Sequence, residues 1–172
     1  MVRTSPVKRL TVTALLCSLA IIMHSLESVL PPLVVGVPIK LGLANVFTLT
    51  AVMLFSWQYA FSLTITRCLV GTLITGTVTQ LAYSLTGAVL SLITMLSLDK
   101  LRRHGKLTAI GQSIAGSFMF NTGQLFVGFI AIGPAMLVYF PLMSLLSIPT
   151  GAITGIISHC LNASLGKYLS KG

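Results

Sequence analysis

The sequence predicts an all-α integral membrane protein of six transmembrane helices, and three observations carry that prediction. The chain is 55% hydrophobic with a mean hydropathy of +0.97. Only 8% of its residues are charged, against about 25% in soluble domains. Apolar runs of the length that crosses a hydrocarbon core, about 20 residues, recur along all 172 residues, and prolines, glycines and basic clusters separate them. The expected organisation is one transmembrane domain over residues 1–172, with helices at about 7–29, 39–56, 58–77, 80–98, 108–132 and 134–161.

The formal charge of +9 does not imply nucleic acid. Arg3, Lys8 and Arg9 precede the first apolar run, Lys100, Arg102, Arg103 and Lys106 share one connection, and Lys167 and Lys171 sit in the tail. Positive charge in these places marks the cytoplasmic ends of membrane helices. An even number of spans puts all three clusters on one side, so both termini are expected in the cytoplasm. A multi-pass protein of the cell membrane follows, with lipid around it and no nucleic-acid partner.

The first helix carries Ala14 and Ser18 four residues apart, a small-residue pair that lets another helix approach closely. Its apolar run ends without a small-residue cleavage motif, so it reads as a retained helix. His24 and Glu27 lie one turn apart near its end. The stretch from Glu27 to Asn45 then holds Pro31, Pro32 and Pro38 together with one of the two acidic residues and an isolated lysine, Lys40. Proline removes a backbone donor and clashes with the preceding turn, so this stretch breaks the helix. It reads as an ordered loop, with Ser28 to Pro38 as a lid over a cavity; a plain connector is the alternative.

The second helix begins near Lys40 and Asn45 and ends before Trp57 and Tyr59, aromatic residues suited to a membrane boundary. The third places Arg67 mid-span, in a seam with Thr64, Gly71 and Thr75. The fourth aligns Tyr83, Gly87, Ser91 and Thr94. A short charged loop from Asp99 to Lys106 follows. The fifth aligns Ser113, Ser117, Asn121, Gln124 and Gly128. The sixth aligns Ser144, Ser147, Gly151, Thr154 and Ser158, with Pro141 and Pro149 expected to kink it.

Prenyl-diphosphate and phosphoryl-transfer enzymes hold Mg²⁺ with several carboxylates. This chain has Glu27 and Asp99, placed at opposite ends of the expected bundle. It has no Walker-type phosphate loop, and its three histidines and three cysteines show no metal-ligand or catalytic spacing. No catalysis, cofactor or metal is expected. The strongest signal is Arg67, because an arginine at mid-membrane costs about 2.5–3.5 kcal/mol on insertion scales. Its partner is either Glu27, in a structural ion pair, or an anionic ligand. Glu27, Lys40, Asn45, Arg67, Tyr83, Asn121 and Gln124 form the candidate ligand-binding set, the convergent polar groups of a mostly apolar pocket. Snorkelling side chains and interhelical hydrogen bonds are the alternatives for Lys40, Glu27 and the amides.

The run Leu26-Glu27 to Pro31-Pro32, followed by Pro38-Ile39-Lys40-Leu41-Gly42-Leu43-Ala44-Asn45, resembles the Gx transporter family. Its members are often labelled heptaprenyl diphosphate synthase component I. That family is similar to the substrate-binding S components of energy-coupling-factor (ECF) vitamin transporters, and the resemblance extends from Leu10 to about Leu165. It implies a six-helix bundle that binds a small molecule from outside and passes it to an ECF transmembrane subunit with ATPases. Ala14 and Ser18 would then be the docking face for that subunit. The expected function is a substrate-binding membrane subunit for uptake of a small anionic or amphipathic molecule, isoprenoid-related or a quinone precursor. The alternative, which the synthase label implies, is a non-catalytic membrane accessory subunit of a prenyl (heptaprenyl) diphosphate synthase. A third reading, a stand-alone transporter coupled to an ion gradient, would lean on Glu27 almost alone.

Overall fold

The computed structural model describes residues 5–29, 40–75 and 78–170. The described residues are helical with no strand: α1 (Pro6–Val29), α2 (Asn45–Leu54), α3 (Trp57–Thr75), α4 (Val78–Arg103), α5 (Ala109–Ile132), a 3₁₀ segment (Pro134–Tyr139) and α6 (Phe140–Ser170). Four stretches are long and apolar enough to cross a membrane: Pro6–Ser28, Val78–Arg103, Ala109–Ile132 and Pro134–Ser170. The chain is a multi-pass membrane protein. Most of the proline-rich lid expected at Ser28 to Pro38 lies outside the described residues.

The two remaining helices depart from the uniform spans expected of them. α2 has 10 residues rather than the stretch 39–56, a rise of about 15 Å, half of a hydrocarbon core. The chain is non-helical at Lys40–Gly42 and turns at Leu43 and Ala44. Gly42 takes φ +79° there, a left-handed conformation that favours glycine. α3 has 19 residues, enough length to cross, but Gln58, Arg67 and its threonines dilute its apolar content.

α4, α5 and α6 pack side by side, α1 lies on α3, and α2 is enclosed by α1, α3, α4 and α6. Nine of the ten residues of α2 are buried. Val46, Ala51, Val52 and Leu54 of α2 pack with Val12, Leu16 and Ala20 of α1, Ala60 and Leu63 of α3, Leu92 of α4 and Leu169 of α6. The small-residue seams make close approach possible: a side chain added at Gly123 of α5 would strike the backbone of Gly87 on α4. A second core cluster joins Tyr83, Leu125, Met136 and Met143.

Helix ends explain the other boundary differences. The run from Asp99, expected as a loop, continues α4 to Arg103. Asp99 binds Arg102 at 2.6 Å and Arg103 at 2.6 Å, one turn on, and cations favour the negative end of a helix dipole. The helix then closes in a Schellman turn: Gly105, at φ +71°, donates to the Arg102 carbonyl and Lys106 to the Leu101 carbonyl. Thr108 caps α5, its hydroxyl accepting from Gly111 N at 3.1 Å. Gly133 ends α5 at φ +103°. The sixth helix therefore starts as a 3₁₀ segment, becomes α-helical at Phe140 and runs on to Ser170. Pro141 sits in its first turn, where a missing N–H leaves no bond broken; Pro149 is interior.

Candidate functional site

Buried non-helical backbone must find partners within the protein. For Lys40 to Asn45 those partners are polar side chains of surrounding helices. Gln124 of α5 accepts from Lys40 N at 2.8 Å and donates to the Lys40 carbonyl at 3.1 Å. One amide thus holds both faces of one peptide position, as a neighbouring strand would. Glu27 of α1 accepts from Leu43 N, just before α2. A carboxylate there also meets the positive end of the short helix.

This scaffold directs the Lys40 side chain inward, where it is 4% exposed. Its Nζ lies 2.8 Å from His24 Nε2, 2.6 Å from Ser28 Oγ and 3.4 Å from the His24 carbonyl. Ser28 Oγ donates in turn to the His24 carbonyl at 2.8 Å and accepts from Gln80 Nε2 at 3.0 Å. An ammonium has three donors, and three acceptors surround this one. Lys40 is occupied by the protein.

Arg67 is different. It is 1% exposed, and its Nη2 donates to Asn45 Oδ1 at 2.6 Å. Among the described residues its Nε finds no hydrogen-bond partner, and neither does the buried Nδ2 of Asn45. Of the two alternatives for its partner, the ion pair with Glu27 is not made: the ion pairs among the described residues are those of Asp99, and Glu27 is turned to Leu43 N. The reason is local, since the open backbone before α2 needs an acceptor and Glu27 supplies it. Two adjacent buried side chains therefore retain donors with no acceptor among the described residues.

Five of the seven residues singled out in the sequence, Glu27, Lys40, Asn45, Arg67 and Gln124, converge on the segment 40–45. The other two bond or pack elsewhere. Asn121 donates to the Met143 carbonyl at 2.9 Å and ties α5 to α6. Tyr83 packs against Leu125, Met136 and Met143. His24, Ser28 and Gln80 belong to the polar cluster but were not in the sequence-derived set. Ala14 and Ser18 lie on the exposed face of α1, opposite the buried Val12, Leu16 and Ala20. Ser18 Oγ is spent on the Ala14 carbonyl at 3.0 Å, so the pair presents a small, nearly apolar surface. Among the described residues, no three His, Cys, Asp or Glu side chains gather as a metal site.

Residues 16–161 match the family described as heptaprenyl diphosphate synthase component I. The chain belongs to that family. Neither a curated protein nor a solved structure matches it. The description names a component of a prenyl-diphosphate-forming system. The whole sequence holds two side-chain carboxylates, one bound to Leu43 N and the other to two arginines.

Proposed function

We propose that this chain is the non-catalytic membrane component of a prenyl diphosphate synthase, a cell-membrane anchor and organiser for a soluble catalytic partner. Family membership over residues 16–161 carries this reading. Chemistry supports it: prenyl diphosphates join a water-seeking head to a membrane-seeking chain, so an enzyme that lengthens them gains from a membrane partner. The partner would face the basic end of the bundle, where Lys100, Arg102, Arg103, Lys106 and Lys167 gather charge that favours the cytoplasmic side. In this topology the chain crosses six times with both termini in the cytoplasm. The second crossing is made by the non-helical residues from Lys40 together with the short α2.

The buried donors of Arg67 and Asn45 favour a second activity within the same protein: binding a small anionic or amphipathic ligand, with Gln124, Glu27 and Lys40 shaping the site. In the S-component-like form of this reading, the exposed Ala14/Ser18 face docks an ECF transmembrane subunit with its ATPases. The deciding experiment is affinity purification of the tagged full chain from its native membrane in mild detergent. A soluble prenyl synthase that co-purifies and whose product length or rate changes with the chain supports the accessory reading. Recovery of a transmembrane subunit with an ATPase pair, and no synthase, replaces it with the uptake reading.

A further inference from the structure

The polar cluster around the segment 40–45 holds more positive charge than negative. Lys40, Arg67 and Glu27 are 4%, 1% and 7% exposed, and Glu27 lies within coulombic reach of both cations. The sequence has one other acidic side chain, Asp99, which is bound to Arg102 and Arg103. The residues outside those described add no aspartate or glutamate. Two buried cations therefore share one carboxylate, even with Glu27 ionised. A buried charge without a counter-charge is costly. We propose that Arg67 and Asn45 bind the head of a singly charged organic carboxylate, which supplies the missing negative charge. The proposal rests on the ligand-binding reading of this site and names the class of its ligand.

Two lone donors mark the place. Arg67 Nε and Asn45 Nδ2 are buried without a partner among the described residues. They flank the contact between Arg67 Nη2 and Asn45 Oδ1, since Nε shares a carbon with Nη2 and Nδ2 shares one with Oδ1. Water would satisfy these donors and leave the charge. Lys40 is not the place, because His24 Nε2, the His24 carbonyl and Ser28 Oγ surround its ammonium. A carboxylate brings two acceptor oxygens on one carbon and a single charge. A phosphate monoester brings about 1.5–2 negative charges at pH 7, which turns the excess into a deficit.

The surroundings favour an organic body over a bare halide. A Cβ placed on Gly42 would come within 3.1 Å of Asn45 Nδ2 and 2.9 Å of the Phe120 ring. The donor thus sits beside bare backbone and an aromatic side chain, and Phe120 packs with Cys68 and Ala88. Both donors are shut from solvent. Entry of the anion requires the segment that carries Asn45 to shift on its two ties, Gln124 and Glu27.

The test uses the full chain in phosphatidylcholine nanodiscs and hexanoate as probe. Asn45→Asp keeps the acceptor for Arg67 Nη2 and adds the missing charge within the chain. It should raise the melting temperature by about 2 °C or more. The gain should vanish in an Arg67→Gln background, where a benefit from the α2 dipole alone would remain. Calorimetric titration, with empty nanodiscs subtracted, should show saturable hexanoate binding at least about tenfold tighter than hexyl phosphate, chloride or hexanol. Asn45→Asp and Arg67→Gln should each lose it. Titration in two buffers of different ionisation enthalpy should show no proton taken up with hexanoate. Uptake of about one proton would show a cluster that is already neutral and overturn the proposal. An Asn45→Asp variant no more stable than wild type, or no hexanoate binding, also overturns it. Tighter binding of hexyl phosphate or chloride, lost in Arg67→Gln, overturns the carboxylate and keeps the ligand-binding reading. No anion whose binding depends on Arg67 removes both.

Discussion

Arg67 Nη2 and Asn45 Oδ1 meet at 2.6 Å inside the bundle, and this contact takes the place of an ion pair with Glu27. The arginine therefore has an uncharged amide as its hydrogen-bond partner. Double-mutant cycles should show it. Coupling between Arg67 and Asn45 should reach about 1–3 kcal/mol, and coupling between Arg67 and Glu27, which share no direct contact, should be smaller. Melting temperatures of Arg67→Gln, Asn45→Ala, Glu27→Gln and their pairs in one detergent provide the measurement. Recovery of stability in Glu27→Gln/Arg67→Gln would show that the charges are paired after all.

If the unpartnered donors of Arg67 and Asn45 serve an anion, Arg67→Gln should weaken ligand binding by about tenfold or more, and Arg67→Lys should restore only part of it, since an ammonium lacks the fork. Isothermal titration against candidate carboxylates and phosphates checks this. Equal affinity in wild type and Arg67→Gln would remove the residue from the site.

Gln124 holds both the N–H and the carbonyl of Lys40. Gln124→Leu leaves two buried backbone groups without partners, at about 1–3 kcal/mol each. Hydrogen exchange should rise at Lys40 and Leu43 while the amides of α4 stay protected. Gln124→Glu, which keeps the acceptor but loses the donor, should fall between. Unchanged exchange at Lys40 in Gln124→Leu would mean that the clamp does not hold the segment.

Glu27 should behave as a scaffold residue. Replacing it with Gln retains an oxygen for Leu43 N and should cost less than replacing it with Ala, which should cost about 1.5–3 kcal/mol. Thermal unfolding of the two variants ranks them; equal losses would point to the charge rather than to the hydrogen bond.

Two surface experiments address orientation and docking. In a cysteine-free background, His104→Cys and Ala135→Cys should label from opposite sides of the membrane; both positions are exposed, and neither has a positive φ. Labelling of both from one side would exclude the proposed topology. Ala14→Leu and Ser18→Leu enlarge an exposed face and should leave the melting temperature intact while lowering partner recovery. Unchanged recovery would place docking elsewhere.

Much of the helical order was legible because apolar runs and their interruptions are local properties. The segment from Lys40 to Ala44 was legible only in part, lying both in the interrupted stretch Glu27 to Asn45 and in the helix expected from 39. Its residues continue the apolar spacing of a helix, and what holds it open is Gln124, 84 positions away in sequence from Lys40. Arg67 was legible as buried, because hydrocarbon tolerates no other placement, but not its partner, since Asn45 looked like any intramembrane amide. His24 and Ser28 left a signal that was available: they sit four residues apart, on the turn that also carries Glu27. The end of α4 was misjudged for a different reason. A run of charges reads as a loop until Asp99 is seen to address residues three and four positions later, which is a helical relationship.

The short, enclosed α2 also constrains how the protein is made. A helix of 10 residues offers a translocon too little greasy length for independent insertion, and its surface is complementary to helices rather than to lipid. One of its contacts, Val46 carbonyl to Ser158 Oγ at 2.9 Å, joins residues 112 positions apart. The berth of the second helix, begun by α1, α3 and α4, is therefore completed only once α6 is in place. Until then one side of α2, including the Val46 carbonyl, waits for its partner.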